Sequence, residues 1–181
     1  MLTATYSLVA MTIEQRTACH FLVMTRQAVA SLWAGSQEVD LQRLEIALAG
    51  LARFDRYCHE RKVEKYVIPS VRGASQEIDA VVGDLDCLSS AGIRLLGTAA
   101  EQLRVRLERR NVLWRDLCRV MEDYCDCLLQ RLQREEEELL PLVHRLLSLE
   151  DWFSLAAKFL GDEQRRLFPT HWLTRSAVPA G

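Results

Sequence analysis

A run of four glutamates, Glu135 to Glu138, stands directly before an apolar Leu-Leu-Pro sequence in RLQREEEELLPLV. A charge run is usually a solvated surface, whereas leucines next to a proline usually mark a packed helix end. A carboxylate that points inward at this junction could bind a metal ion or pair with a buried cation. The first question is therefore which of the four carboxylates faces the core.

Helical periodicity selects one carboxylate of the run. An apolar stripe recurs at steps of three and four residues and, if continued, passes through Arg131 and Glu135 before it reaches Leu139. This phase directs Glu136 and Glu137 toward solvent and places Glu138 at the border. The leading members of the stripe are Leu117, Met121, Tyr124 and Leu128.

A second stripe of the same kind leads to a histidine. Leu44, Leu48 and Leu51 are followed at helical steps by Asp55, His59 and Val63, and the last two share one helix face. Polar groups therefore sit at similar depth on two predicted helices. In a helix bundle such groups can meet, and bundle cores are where metal sites are built.

Long helices must position these residues. Prolines are rare, good helix formers are frequent and no convincing strand pattern occurs, which predicts helices over about 12–33, 40–69, 75–109 and 112–147. Asp40 is the expected N-cap of the second helix, and Ser148 that of a short fifth helix. The predicted fold is all-α, an up-down-up-down four-helix bundle with a short C-terminal helix. It spans 12–160, between an N-terminal segment 1–11 and an irregular tail 161–181.

Composition narrows the class of protein. The 181 residues are 49% hydrophobic and 27% charged, which is typical of one folded domain and not of a disordered chain. The net charge of −2 gives no reason to expect nucleic acid as a partner, and no apolar run approaches a membrane span. Because the N-terminus lacks a signal-peptide pattern, we expect a cytoplasmic protein whose six cysteines are reduced.

Two segments, FDRYCHERKVEKYVIPSV and LLQRLQREEEELLPLV, resemble the repeated H-x-x-x-E segments of the hemerythrin-like (HHE cation-binding) family. In each, a proline follows ten residues after the histidine position: Pro69 after His59, and Pro141 after Arg131. Three further segments are similar to the family's first helix, second helix and closing helix, and the resemblance covers most of the chain. They are IEQRTACHFLVM, WAGSQEVDLQRLEIALAGLARF and LSLEDWFSLAAKFLGDEQRRLF.

The resemblance implies a four-helix bundle holding two irons, but most of the ligand positions carry other residues. Only His59 and Glu135 keep the ligand type. The other positions implied by the resemblance carry Gln15, Glu60, Val63, Arg131 and a residue near Asp86 or Cys87. Arginine has no lone pair to donate and its fixed charge repels iron, so the chain is predicted to lack a diiron centre and to bind no cofactor.

We expect a vestigial pocket in the bundle core at these seven positions: Gln15, His59, Glu60, Val63, Cys87, Arg131 and Glu135. Arg131 would pair there with Glu60 or Glu135, while His59 and Gln15 supply hydrogen bonds. Such a network is strongly destabilised when one member is lost. We therefore predict that Arg131→Ala costs several kcal/mol of unfolding free energy in a denaturant titration, whereas Arg134→Ala has little effect. Equal small effects would refute the network.

Three functions compete at this point. The first is a metal-free hemerythrin-like module with a regulatory or protein-interaction role, not an enzyme. Its protein partner is unidentified, and a homodimer is compatible with a bundle although no sequence feature fixes one.

The second function is an iron protein for oxygen or nitric oxide sensing or iron handling. It would use a reduced site of His59, Glu135 and Glu60, with a further donor such as Cys87 or His20. The third is another kind of enzyme, for which no nucleophile–base pair or phosphate loop is present. A redox-sensing thiol at Cys58 or Cys87 is a further alternative.

Overall fold

The computed structural model describes residues 2–34, 40–108 and 114–163, and within them the chain is helical with no strand. Four long helices carry most of the fold: α1 (Leu2–Ala34), α2 (Leu41–Glu60), α4 (Gln76–Glu108) and α5 (Trp114–Arg134). One π-helical turn, Val63–Val67, leads from α2 to the short α3 (Ile68–Val71), and another, Glu135–Leu139, leads from α5 to α6 (Leu140–Leu146). A final helix, α7, spans Leu149–Glu163. The predicted all-α class is confirmed.

Two predicted boundaries need correction. The segment 1–11 was expected to lie outside the bundle, but α1 is already helical from Leu2, and Met11 is fully buried. The N-terminal half of α1 is therefore part of the core. The predicted irregular tail began at 161, whereas α7 continues to Glu163. The remainder of that tail, 164–181, lies outside the described residues.

Side-chain caps set three helix starts. The Asp40 carboxylate accepts a hydrogen bond from the Arg43 backbone N–H at 3.2 Å, which caps α2 as predicted. The Ser148 hydroxyl accepts from the backbone N–H of Asp151 at 3.2 Å, and the Asp151 carboxylate accepts in return from the Ser148 backbone N–H at 2.9 Å. This reciprocal pair confirms Ser148 as the cap of α7. The hydroxyl of Ser75 caps α4 in the same way, accepting from the N–H of Ile78 at 3.2 Å.

The two prolines inside the long helical runs account for the π-helical turns. Proline has no backbone N–H, and its ring collides with the carbonyl four residues earlier, so an ordinary α-helix cannot continue through it. Just before Pro69, the N–H of Ile68 reaches back five residues to the Val63 carbonyl, and before Pro141 the N–H of Leu140 reaches Glu135. The wider turn absorbs the misfit without ending the helical path. The two segments thus share a structural device 72 positions apart.

The long helices enclose two apolar clusters. Helices α1, α2, α4 and α5 contact one another pairwise, and α7 packs on α1. The larger cluster fills the space between these four helices, with Phe21 stacked on Phe54 at 4.8 Å between ring centroids. The second joins the N-terminal half of α1 to α3, α6 and α7, and includes Met11, Trp152 and Phe159. No described helix is long and apolar enough to cross a membrane.

Gly92 marks the closest approach of α4 to α5. A Cβ atom at this position would lie 2.6 Å from Cδ2 of Leu128 and 3.7 Å from Tyr124, whereas at Gly97 nothing lies within 4 Å. We expect Gly92→Ala to lower the free energy of unfolding by about 1–3 kcal/mol because the Leu128 side chain must leave its packed position. Gly97→Ala should raise it by up to ~1 kcal/mol, since alanine is the better helix former. Urea titrations of both variants test the contrast, which identical effects would contradict.

Candidate functional site

A break at the end of α2 decides which side chains of that segment face inward. Arg61 ends the helix in an extended conformation, with φ −63° and ψ 149°, and its N–H donates to the Cys58 carbonyl at 3.2 Å. The helical phase therefore changes between α2 and the π-helical turn that follows. Arg61 follows the buried Phe54 by seven residues and therefore lies on the inner side of α2, where its side chain is fully buried.

Glu135 lies at the centre of a buried charge network. Its side chain is fully buried, and both of its carboxylate oxygens accept hydrogen bonds from Arg61, one of them from Nη1 at 3.1 Å. The same carboxylate accepts from Nη1 of Arg131 at 3.0 Å. One carboxylate thus holds two guanidinium groups, the arrangement in which hydrogen bonds to charged groups are strongest.

Three further side chains complete the network. The Gln15 carbonyl accepts from Nη2 of Arg61 at 2.6 Å, while its amide donates to the Leu132 carbonyl of α5. Ser89 on α4 accepts from Nε of Arg131 at 2.7 Å, and Glu64 forms an ion pair with Nη2 of the same arginine. Two cations are therefore balanced by two anions. The members come from α1, α4, α5, the break after α2 and both π-helical turns, so the network connects these helices.

A second buried ion pair lies beside the first. The ammonium group of Lys62 is 3.0 Å from a Glu14 carboxylate oxygen, and the other oxygen accepts from the backbone N–H of Lys62 at 2.7 Å. Both side chains are about nine-tenths buried. Glu14 thereby also satisfies a backbone donor at the break after α2. The pair fixes α1 against this break and adds no net charge to the core.

Burial and ion pairing have opposite effects on the pKa values of Arg61 and Arg131. Burial by itself lowers the pKa of Arg61, but the adjacent Glu135 carboxylate outweighs it and the pKa is raised. For Arg131, burial dominates over the attraction of Glu135, and Arg61 adds repulsion, so its pKa is lowered. Arg61 is therefore the better compensated cation. Its Nε group nevertheless has no hydrogen-bond partner among the described residues.

The structure brings together four of the seven predicted site residues. Gln15, Arg131 and Glu135 belong to the network, and Val63 is buried beside it in the second apolar cluster. The single inward carboxylate predicted from the Glu135–Glu138 run is confirmed as Glu135. The contrast between Arg131 and Arg134 stays a prediction, now with a structural basis. Arg131 is buried, whereas Arg134 binds Glu138 at 2.8 Å near the surface.

The other three residues do not lie in the core. His59, Glu60 and Cys87 are exposed and not buried as expected, although His59 lines the small cavity beside Arg131. Glu60 lies 3.6 Å from Lys65, and the partners of Arg131 are Glu64 and Glu135 instead. The helix is continuous through His59 and Glu60, and its inner face is occupied by Phe54 and, seven residues later, by Arg61 instead of His59.

A small cavity lies between α2, α4 and α5 next to Arg131. It is lined by Asp55, Cys58, His59, Glu64, Ser89, Ile93, Leu128 and Arg131. Its volume of about 20 Å³ holds roughly one water molecule. The Asp55 carboxylate accepts from the Tyr124 hydroxyl at 3.1 Å. The cavity is too small to admit an organic substrate, because ligand pockets are typically several hundred Å³.

The thiols beside the network are deactivated by their surroundings. Burial raises the pKa of Cys58 to about 12, and the nearby Arg61 only partly offsets it. Burial also raises the pKa of Cys125 to about 12. These values disfavour the thiolate form that redox sensing requires. The expectation that an arginine activates Cys58 is therefore not supported.

Cysteine reactivity offers a direct test of this burial. At pH 8 in the folded protein, we expect iodoacetamide to modify the exposed Cys87 at least ten times faster than Cys58, because Cys58 is both shielded and protonated. Peptide mass spectrometry over a time course measures both rates. In urea the two cysteines should react at similar rates. Fast modification of Cys58 in the folded chain would contradict the structure.

The residues present do not fit a diiron centre. No group of three or more His, Cys, Asp or Glu side chains within 2–34, 40–108 and 114–163 is arranged to hold a metal ion. Both oxygens of Glu135 are bound by guanidinium groups, and the His59 imidazole is exposed to solvent. Both arginines bind the Glu135 carboxylate, the ligand that the resemblance implies, and their charges repel a metal ion.

Comparison with known proteins gave no relative. No family model, curated protein or solved structure matches the chain.

Proposed function

We propose that the chain is a hemerythrin-like, up-down-up-down four-helix bundle. Contacts between neighbouring helices support this topology. Within each pair, the residue numbers rise along one helix as those of their contacts fall along the other, which means that the two helices are antiparallel. The contacts that follow this order are Phe21–Phe54 and Glu14–Lys62 for α1 with α2, Arg26–Asp126 and Gln15–Leu132 for α1 with α5, and Ser89–Arg131 and Asp84–Arg134 for α4 with α5. The two proline-terminated π-helical turns support the resemblance to the family's repeated segments.

The proposed function is that of a metal-free scaffold with a regulatory or protein-interaction role. The observation that carries it is the position of Glu135, whose carboxylate would be a ligand by resemblance but is held by Arg61 and Arg131. A neutral network of four charged side chains takes the place of a charged cofactor in the core. We further propose that the protein is not an enzyme and acts in the cytoplasm.

Metal content tests the proposal. The full chain is expressed with added iron, and bound metal and the absorption spectrum are measured on the same sample. We expect iron far below one per chain and no oxo-bridge charge-transfer band, with helix content unchanged by a chelator. About two irons per chain with that band would overturn the proposal. One metal per chain that is lost in His59→Ala would support the reduced iron site instead.

A further inference from the structure

Helix α7 packs in a different apolar cluster from the one that holds the four long helices together. The larger cluster draws its buried residues from α1, α2, α4 and α5. Trp152, Leu155 and Phe159 of α7 are buried in the second cluster instead. The extended residue Leu147 separates α7 from α6. Among the described residues, the larger cluster is thus built without a buried side chain of α7.

An ion pair fastens the last turn of α7 to the π-helical turn after α2. The ammonium group of Lys65 donates to a carboxylate oxygen of Asp162 at 2.9 Å, and it also lies 3.6 Å from Glu60 at the end of α2. Asp162 is buried and lies at the C-terminal end of α7, where the helix dipole disfavours a negative charge. A buried carboxylate in this position depends on a nearby cation, so Lys65 favours the docked position of α7.

Phe159 connects α7 to the Glu14–Lys62 pair. Its ring centroid lies 5.8 Å from the Lys62 ammonium group and 5.8 Å from the ring centroid of Tyr66. Phe159 is fully buried and precedes Asp162 by three residues, so both lie on the same face of α7. The ring helps to keep water away from the ion pair, and a shielded pair is stronger than a solvated one. The docking of α7 is therefore coupled to the contact between α1 and the break after α2.

We propose that α7 is a releasable strap. Its last turn, held by the Lys65–Asp162 pair, closes the second apolar cluster over the Glu14–Lys62 pair, and it detaches while the four long helices stay packed. Proteins open locally in contiguous cooperative units, and a helix that packs in a separate cluster forms such a unit. Release exposes the second cluster, including Met11 of α1. This inference does not depend on the metal-free role proposed above.

Hydrogen exchange of the full chain, followed by peptide mass spectrometry, tests the release. We expect amides within 149–163 to exchange at least tenfold faster than amides within 117–132 of α5. Low urea concentrations should accelerate them less, because release exposes less surface than global unfolding. Equal exchange of both segments at every urea concentration means that the chain opens only as a whole, and would overturn the proposal.

Glu135→Gln tests whether the strap opens independently of the core network. This variant weakens the four-helix part equally in the docked and the released state. Exchange within 117–132 should therefore accelerate at least tenfold, while exchange within 149–163 stays within twofold of the wild type. Equal acceleration of both segments would refute a separate release of α7.

Lys65→Gln tests the ion pair that holds the strap. It should accelerate exchange within 149–163 at least tenfold, because the buried Asp162 carboxylate loses a charged donor. Lys158→Gln is the matched control, since it removes the same charge from an exposed position on α7 itself, and should change the rate less than twofold. Equal effects of the two variants would contradict the role of Lys65.

Asp162→Asn identifies the partner through which Lys65 acts. In this background the carboxylate that depends on a cation is gone, so Lys65→Gln should change exchange within 149–163 less than threefold. A tenfold effect in both backgrounds would assign the role of Lys65 to Glu60 or Tyr66 and refute the proposed pair. Circular dichroism of each variant verifies that the helices are retained.

Discussion

Glu135→Ala is expected to lower the free energy of unfolding by about 3–5 kcal/mol, the range found when one partner of a buried ion pair is removed. The variant leaves Arg61 and Arg131 close together inside the bundle with Glu64 as the one remaining anion of the network. Desolvated cations that lose their counter-charge must draw in water or separate the helices. Urea unfolding followed by helical ellipticity measures the change.

Glu136→Ala is the matched control, because it removes the next carboxylate of the same run from an exposed position. We expect it to leave the unfolding midpoint unchanged. Glu135→Gln is a milder version that keeps the shape and one acceptor and removes only the charge. It should fall between the wild type and Glu135→Ala. If Glu135→Ala and Glu136→Ala behave alike, Glu135 is not the centre of a buried network.

The all-helical class and the inward carboxylate could be predicted, because the first depends on helix-forming composition and the second on continuous helical phase. The residues from Leu117 to Glu135 follow one uninterrupted repeat, and the structure places Arg131 and Glu135 where that repeat puts them. The π-helical turn begins only at Glu135, so it does not disturb the phase of the preceding residues. Caps at Asp40 and Ser148 were equally predictable, because they depend on local side-chain chemistry.

The α2 side of the site could not be predicted in the same way. The extended backbone at Arg61 changes the helical phase, and neither glycine nor proline marks this position in YCHERKVEKY. Lys62 and Glu64 were therefore missed. Arg61 was missed because the stripe was continued from Leu51 to Asp55 and His59, although Arg61 follows Phe54 by seven residues. Charge balance gave no signal, because an Arg131–Glu135 pair is already neutral. The helical N-terminal segment was missed because its apolar residues are spread around the helix, and its burial depends on contact with α7.

The inner face of α2 explains why Arg61 and not His59 reaches the core. The helix is continuous through His59, and Arg61 follows the buried Phe54 by seven residues. Arg61 and Arg131 approach Glu135 from two different helices, and Gln15 and Ser89 fix the outer side of each guanidinium group. The helical core thus contains polar residues whose charges are balanced by one another. A core of this kind specifies one arrangement of the helices, because a shifted helix would leave a charge unpaired.

Arg61→Met is the second large effect, with an expected loss of about 3–4 kcal/mol in unfolding free energy. Methionine retains most of the side-chain volume, so the loss reports the charge and not a cavity. The variant removes the donors to both oxygens of Glu135 and the donor to Gln15, leaving Arg131 as the remaining cation of the network. Arg56→Met, at an exposed position of α2, is the control and should change little. Urea titration measures both variants.

The double variant Arg61→Met/Glu135→Leu separates an ion-pair network from independent polar contacts. It removes one cation and one anion together and leaves Arg131 paired with Glu64, so the core stays neutral. We expect it to be more stable than either single variant, with a coupling energy of about 2–3 kcal/mol in the double-mutant cycle. Buried ion pairs replaced by apolar residues of similar size are often neutral in stability for this reason. Additive losses in the cycle would mean that Arg61 and Glu135 act separately and do not form one network.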